Sequence, residues 1–161
     1  MNKENIQVVN LSKNLEYLEE ASKWIWKEWS EIHGASLGDV VYRSRHSICK
    51  SSIPQMYIAL YDKEVIGVVS LWNNDLTARQ DLTPWMATLF VKEEYRGLGV
   101  GTILQEKSIE VAKSLNYEYL YLITDHVGYY ERTGWEFLEQ APLGDGRMTH
   151  VYQYNLKSNH S

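Results

Sequence analysis

Between Leu15 and Trp29 the apolar residues Leu15, Leu18, Ala21, Ile25 and Trp29 recur at helical spacing, with Glu16, Glu19, Glu20 and Lys23 between them. The spacing predicts an amphipathic helix. A shorter helix is expected over about Asp39 to Ile48, after the break at His33-Gly34. The period then falls to that of strands. Met56–Tyr61 and Val65–Trp72 are rich in β-branched and aromatic residues and flank the turn-like Asp62-Lys63-Glu64, so they predict an antiparallel hairpin. An opening strand is expected at about Ile6 to Asn10 and a further strand at Trp85–Val91, after the polar Asn73-Asn74-Asp75 break. Helical spacing returns with Val100, Ile103, Leu104, Val111, Ala112 and Leu115, and Asn116 suits a left-handed cap. Tyr119–Ile123 reads as a buried strand, about Val127 to Arg132 as a short helix, and Gly134–Leu138 and Met148–Leu156 as closing strands. Strand, helix, strand in the middle requires a parallel crossover, whereas the hairpins are antiparallel. The fold class expected is therefore α/β, a mixed sheet flanked by helices. No linker or repeat divides the chain, so one domain over 1–161 is expected.

Composition narrows the function classes. With 44% hydrophobic and 23% charged residues among 161, the chain can bury a real core. Sixteen Lys+Arg against 21 Asp+Glu leave a net charge of -5, which argues against nucleic acid as the partner. No apolar segment is long enough for a membrane span or secretory signal, so a cytoplasmic protein without a membrane partner is expected. The single Cys49 excludes an intrachain disulfide and a Cys-rich zinc module, and no metal is expected. Six Trp and twelve Tyr beside two Phe favour aromatics with a polar handle, which suit half-wet clefts as well as cores.

The stretch with most chemical information runs from Leu89 to Leu104. There a strand ends, Arg96-Gly97-Leu98-Gly99-Val100-Gly101-Thr102 makes a glycine-rich turn, and a helix begins. Glycines let backbone N–H groups converge, and the helix start adds unpaired donors and the positive end of its dipole. This combination forms a phosphate cradle, with the Arg96 guanidinium suited to a phosphate oxygen. Counting from Gly97 places Thr102 where a dinucleotide fingerprint needs its third glycine, and no Gly-Lys-Ser/Thr completes a P-loop. Both nucleotide readings weaken, and another nucleotide-phosphate binder is the third choice.

These residues resemble the GNAT superfamily of N-acetyltransferases, whose signature is a strand followed by Arg/Gln-x-x-Gly-x-Gly/Ala opening a long helix. Tyr130-Glu131-Arg132-Thr133-Gly134-Trp135 is similar to the family's tyrosine-to-glycine-aromatic stretch. The resemblance implies a mostly antiparallel sheet with a splayed parallel strand pair and acetyl-CoA as cosubstrate. It also implies direct acetyl transfer to a primary amine of a small molecule or peptide. By position, the turn from Arg96 to Thr102 would hold the pyrophosphate, Leu89, Phe90 and Val91 the pantetheine arm, and Tyr130 would face the departing sulfur. Tyr129 is the alternative in a register shifted by one. The asparagine that many relatives carry ahead of this tyrosine is absent from Thr124–Tyr130.

The base is open. Strand Trp85–Val91 has no carboxylate, and Asp81, His33, Asp125 and His126 are the candidates, with Asp81 leading. The acceptor side is expected from the N-terminal helices. Trp24, Trp26 and Trp29 cannot share one helix face, and Trp26 or Trp29 with Glu28 and Glu31 could receive a cationic amine. The missing base motivates the alternative of a catalytically idle CoA-binding regulatory or interaction domain. Monomer and homodimer both stay open.

Overall fold

The computed structural model describes residues 1–157. Seven strands form one sheet in the order β1-β2-β3-β4-β5-β7-β6, with β1 at Gln7–Asn10, β2 at Gln55–Tyr61, β3 at Glu64–Trp72 and β4 at Trp85–Val91. β5 spans Tyr119–Thr124, β6 Glu136–Pro142 and β7 Met148–Asn155. Every neighbouring pair is antiparallel except β4 and β5. That parallel pair is joined by helix α3, Val100–Ser114, as the strand-helix-strand order requires. The mixed sheet flanked by helices is the expected fold class.

Helices cover both faces of the sheet. On one face α3 packs Val100, Leu104 and Ala112 against Ile66, Leu71, Met86 and Leu120. On the other, α1 (Leu18–Ile25) and its neighbours close over Ile58, Leu60, Val65, Val68 and Phe90. α2 (Leu37–Arg45) begins two residues before the expected Asp39, because Ser36 and Asp39 form a reciprocal capping box.

Two irregularities depart from the periodicity. The first helix is not continuous: α1 passes into a π turn at Trp26–Ser30 and a 3-10 turn at Glu31–His33, and Gly34 (φ +84°) ends it. The expected helix near Val127 to Arg132 is a 3-10 turn at Tyr130–Thr133, because Gly128 holds φ +85° just before it. Asn116 takes the left-handed conformation expected of it, φ +67°.

Candidate active site

β4 is the strand around which the site is built. Val68 pairs with Phe90 and Ser70 with Ala87, so Thr88 and Leu89 together face the single Val69 of β3. This is a β-bulge, with Thr88 held at φ +50° and its hydroxyl hydrogen-bonded to that of Ser70 at 2.7 Å. The extra residue inverts the side-chain alternation. Met86 belongs to the α3 face, yet Phe90, an even number of residues later, belongs to the α1 face. Beyond the start of the strand β4 also parts from β5, the register between them being the one pair Trp85 and Tyr121. A gap between parallel strands, floored by a bulge, leaves backbone groups available to an extended ligand.

A cavity of about 680 Å³ opens at this gap. Met86, Ala87, Thr88 and Leu89 form its floor, Leu122 to His126 and Tyr130 one wall, and Trp29, Val40 and Arg43 the other. Three carboxylates line it, Glu28, Asp75 and Asp125, against the one guanidinium of Arg43. Trp72 also borders it, and its buried indole N–H has no hydrogen-bond partner among the described residues. Asp75 is half-buried, and burial pushes its carboxyl up to about 7 from an ordinary 3.8. Tyr130 borders the same cavity, packed edge-on against Trp135 and tilted against Tyr152. Burial, with the neighbouring Tyr129 second, pushes its hydroxyl to about 12, so it stays protonated throughout the neutral range.

The glycine turn lies beyond the end of β4. Gly97 and Gly99 hold φ +77° and +87°, which only glycine adopts without strain, and no side chain caps the first turn of α3. A β-carbon on Gly97 would meet nothing within 4 Å, so the turn is open on that side. Val100, buried at 1% exposure, anchors the helix to the sheet, and Leu98 is exposed. The turn from Gly97 to Thr102 therefore fits a pyrophosphate as a backbone cradle.

The other residues singled out from sequence fall into place unevenly. Leu89 lines the cavity, but Phe90 faces away, stacked on Trp24 at 5.7 Å, and the Val91 carbonyl accepts from Arg96 Nε at 2.9 Å. The Arg96 guanidinium lies 5.7 Å over the Phe90 ring rather than over the turn. Trp29 reaches the cavity, 40% exposed and edge-on to Phe90, whereas Trp26 donates its indole N–H to the Ala35 carbonyl at 2.7 Å and is absent from the cavity wall. Asp81 is also outside the cavity. Its carboxylate pairs with Arg79 at 2.9 Å, 65% exposed, and that hydrogen bond holds it below the usual carboxylate range. Tyr129 is 45% exposed, its hydroxyl about 4.0 Å from where a Gly101 β-carbon would lie, so it faces the start of α3 while Tyr130 faces the cavity. The carboxylate that sequence reasoning passed over is Asp75. Its signal was slight: an acid just past the end of β3, within a stretch that reads as a polar turn.

The profile of the Acetyltransferase (GNAT) family matches residues 18–135. The chain belongs to the GNAT acetyltransferase family. An uncharacterized N-acetyltransferase of Dictyostelium discoideum is 38% identical over 79 residues, which are 46% of this chain and only about a third (32%) of that protein. Among solved structures, an aminoglycoside 6'-N-acetyltransferase complexed with coenzyme A shares the fold at TM-score 0.75 and 13% identity, covering 96% of this chain and 99% of the other. A GNAT family acetyltransferase from Elizabethkingia anophelis with acetyl-CoA bound superposes at TM-score 0.61 and 16% identity, covering 95% and 99%. The general reaction of the family is acetyl-CoA-dependent N-acetylation.

Proposed function

We propose that this GNAT protein transfers an acetyl group directly from acetyl-CoA to a primary amine of a small molecule or peptide, with a cationic acceptor favoured. The observation that carries the reading is that Asp75 and Tyr130, one raised toward neutrality and one held protonated, open onto a single cavity floored by the β4 bulge. Acetyl-CoA, when bound, supplies the thioester carbonyl that the amine attacks. The glycine turn would hold its pyrophosphate, and Leu89 and the neighbouring β4 backbone its pantetheine arm.

Asp75 then takes the proton that an alkylammonium must lose before its nitrogen can act as a nucleophile. From an amine of pKa about 10.4, transfer to a carboxylate of pKa about 7 is uphill by about 5 kcal/mol; to an ordinary carboxylate it would be about 9 kcal/mol. Tyr130 acts at the other end. Full transfer from a hydroxyl near 12 to a thiolate of pKa about 8.5 is uphill by about 5 kcal/mol, so its role is to donate a hydrogen bond to the departing sulfur. Glu28, Asp125 and the Trp29 face favour a cationic acceptor, through ionic and cation–π attraction.

Thiol release from acetyl-CoA over a panel of amines, including aminoglycosides, polyamines, amino-acid derivatives and lysine peptides, tests the reading. Turnover with at least one amine, lost in Asp75→Asn, is expected. Cofactor binding by calorimetry with no turnover on any class would instead favour the idle-domain reading, whose motive, the lack of a base, Asp75 removes.

A further inference from the structure

We propose that Lys3, at the start of the chain, is a phosphate-binding residue for acetyl-CoA. The proposal rests on acetyl-CoA being the cosubstrate, as the family and its CoA-bound structural relatives support. Lys3 lies outside the residues that match the family, 18–135, and is fixed by a local device of this chain. Lys3–Asn5 forms a 3-10 turn in which the Asn2 side chain accepts from the Glu4 N–H at 3.1 Å and the Lys3 carbonyl accepts from the Ile6 N–H at 3.1 Å. That turn leads directly into β1 and sets the Lys3 side chain across the glycine loop.

The ammonium stands over Gly99. A β-carbon on that glycine would lie 3.1 Å from Lys3 Nζ and 3.5 Å from its Cε. Among the described residues no other cation lies within 4 Å of that position. Lys92 is paired with Glu64 and lies 3.9 Å from Glu94, while Arg96 is turned to the Val91 carbonyl and the Phe90 ring. Lys3 has no carboxylate partner among the described residues. Within Lys92–Gly101 the cations Lys92 and Arg96 are balanced by Glu93 and Glu94, two against two, so the loop carries no net positive charge of its own. A polyanion on the backbone cradle is held more tightly when a charge is brought from elsewhere. Lys3 supplies it beside the uncapped amides of α3.

The test is calorimetric binding of CoA and of 3'-dephospho-CoA to the chain of residues 1–161, any affinity tag being placed at the C-terminus so that nothing is added ahead of Met1. Lys3→Met keeps the aliphatic stem over Gly99 and removes the charge; Lys3→Arg keeps the charge. A roughly fivefold to tenfold weaker Kd for CoA is expected in Lys3→Met, with Lys3→Arg near the parent protein. The variant should also show a shallower dependence of log Kd on log salt, which a merely structural role would not produce. A deficit that persists with 3'-dephospho-CoA places the contact at the pyrophosphate, and one that vanishes places it at the 3'-phosphate; both support the proposal. Unchanged affinity in Lys3→Met, or weaker binding with an unchanged salt slope, overturns it while leaving the acetyl-CoA reading intact. Failure of the parent protein to bind CoA removes both.

Discussion

Replacing Asp75 by asparagine should cost activity and add stability. Burial raises the Asp75 carboxyl from 3.8 to about 7, a difference of about 3 units, or at most about 4 kcal/mol of penalty on the ionised form. The folded chain holds this proton up to about pH 7 and the unfolded chain releases it near 3.8, so the unfolded state binds fewer protons across that window. Stability contributed at this site therefore falls as pH rises from about 4 to about 7 and stays low above it. Asparagine never ionises and escapes the loss. Solvent at the cleft reduces the gain to about 1–2 kcal/mol, or a Tm about 3–6 °C above the parent protein at pH 8.5, with no advantage at pH 4. In thiol-release assays the parent protein should gain kcat/KM with a midpoint near pH 7, as the carboxylate becomes able to accept a proton. Asp75→Asn should be about a hundredfold slower, without that midpoint. Melts and rates at four or five pH values measure both effects. Parental activity in the variant would refute the role as base. A slower variant with the parental pH midpoint and no stability gain at high pH would show that Asp75 only shapes the acceptor site.

Tyr130→Phe should lower kcat about ten- to a hundredfold and leave the calorimetric Kd for acetyl-CoA within a factor of two, since the hydroxyl acts on the departing sulfur rather than on cofactor retention. Asp81→Ala should change kcat/KM less than twofold and stability by under about 0.5 kcal/mol, because its carboxylate is exposed and does not line the cavity. Gly67→Ala should be costly despite its modest size. The new methyl would lie 2.9 Å from Leu104 Cδ1 and 3.0 Å from the Phe90 carbonyl oxygen, and the latter is backbone that cannot move aside. A loss of about 2 kcal/mol, seen as a Tm lower by roughly 4–8 °C, is expected, and an unchanged Tm would show that α3 can lift off the sheet.

Elements with strong apolar periodicity were legible almost to the residue. Trp85–Val91 and the helix from Val100 follow from alternation and from the 3.6-residue repeat, and the order of strand, glycine turn and helix pointed to the family. What could not be read was set by contacts between distant segments. The Arg96 side chain is turned away from the glycine loop by the Val91 carbonyl and the Phe90 ring, a choice no local motif encodes. Trp29, four residues after Ile25 on the apolar stripe, lines the cavity beside it as the spacing suggests, but that Trp26 is held by the Ala35 carbonyl depends on the loop that follows the helix. Asp75 becomes notable only when folding places it in a cavity wall, and Lys3 only when the chain start meets a loop almost a hundred residues away.

The bulge at Thr88 acts on β4 as a frameshift acts on a reading frame. Every side chain after it answers to the opposite face from the one its position would otherwise dictate, so the strand is two half-strands written in different phase. Straightening the bulge with every residue kept would exchange Phe90 with Leu89 and Val91 between the two layers, pulling the aromatic partner of Trp24 into the α3 core and turning aliphatic groups toward α1. Deleting Thr88, by contrast, would leave Leu89, Phe90 and Val91 on their present faces and remove only the bulge itself. In chains that share this sheet, side chains before and after the bulge should be matched as separate segments.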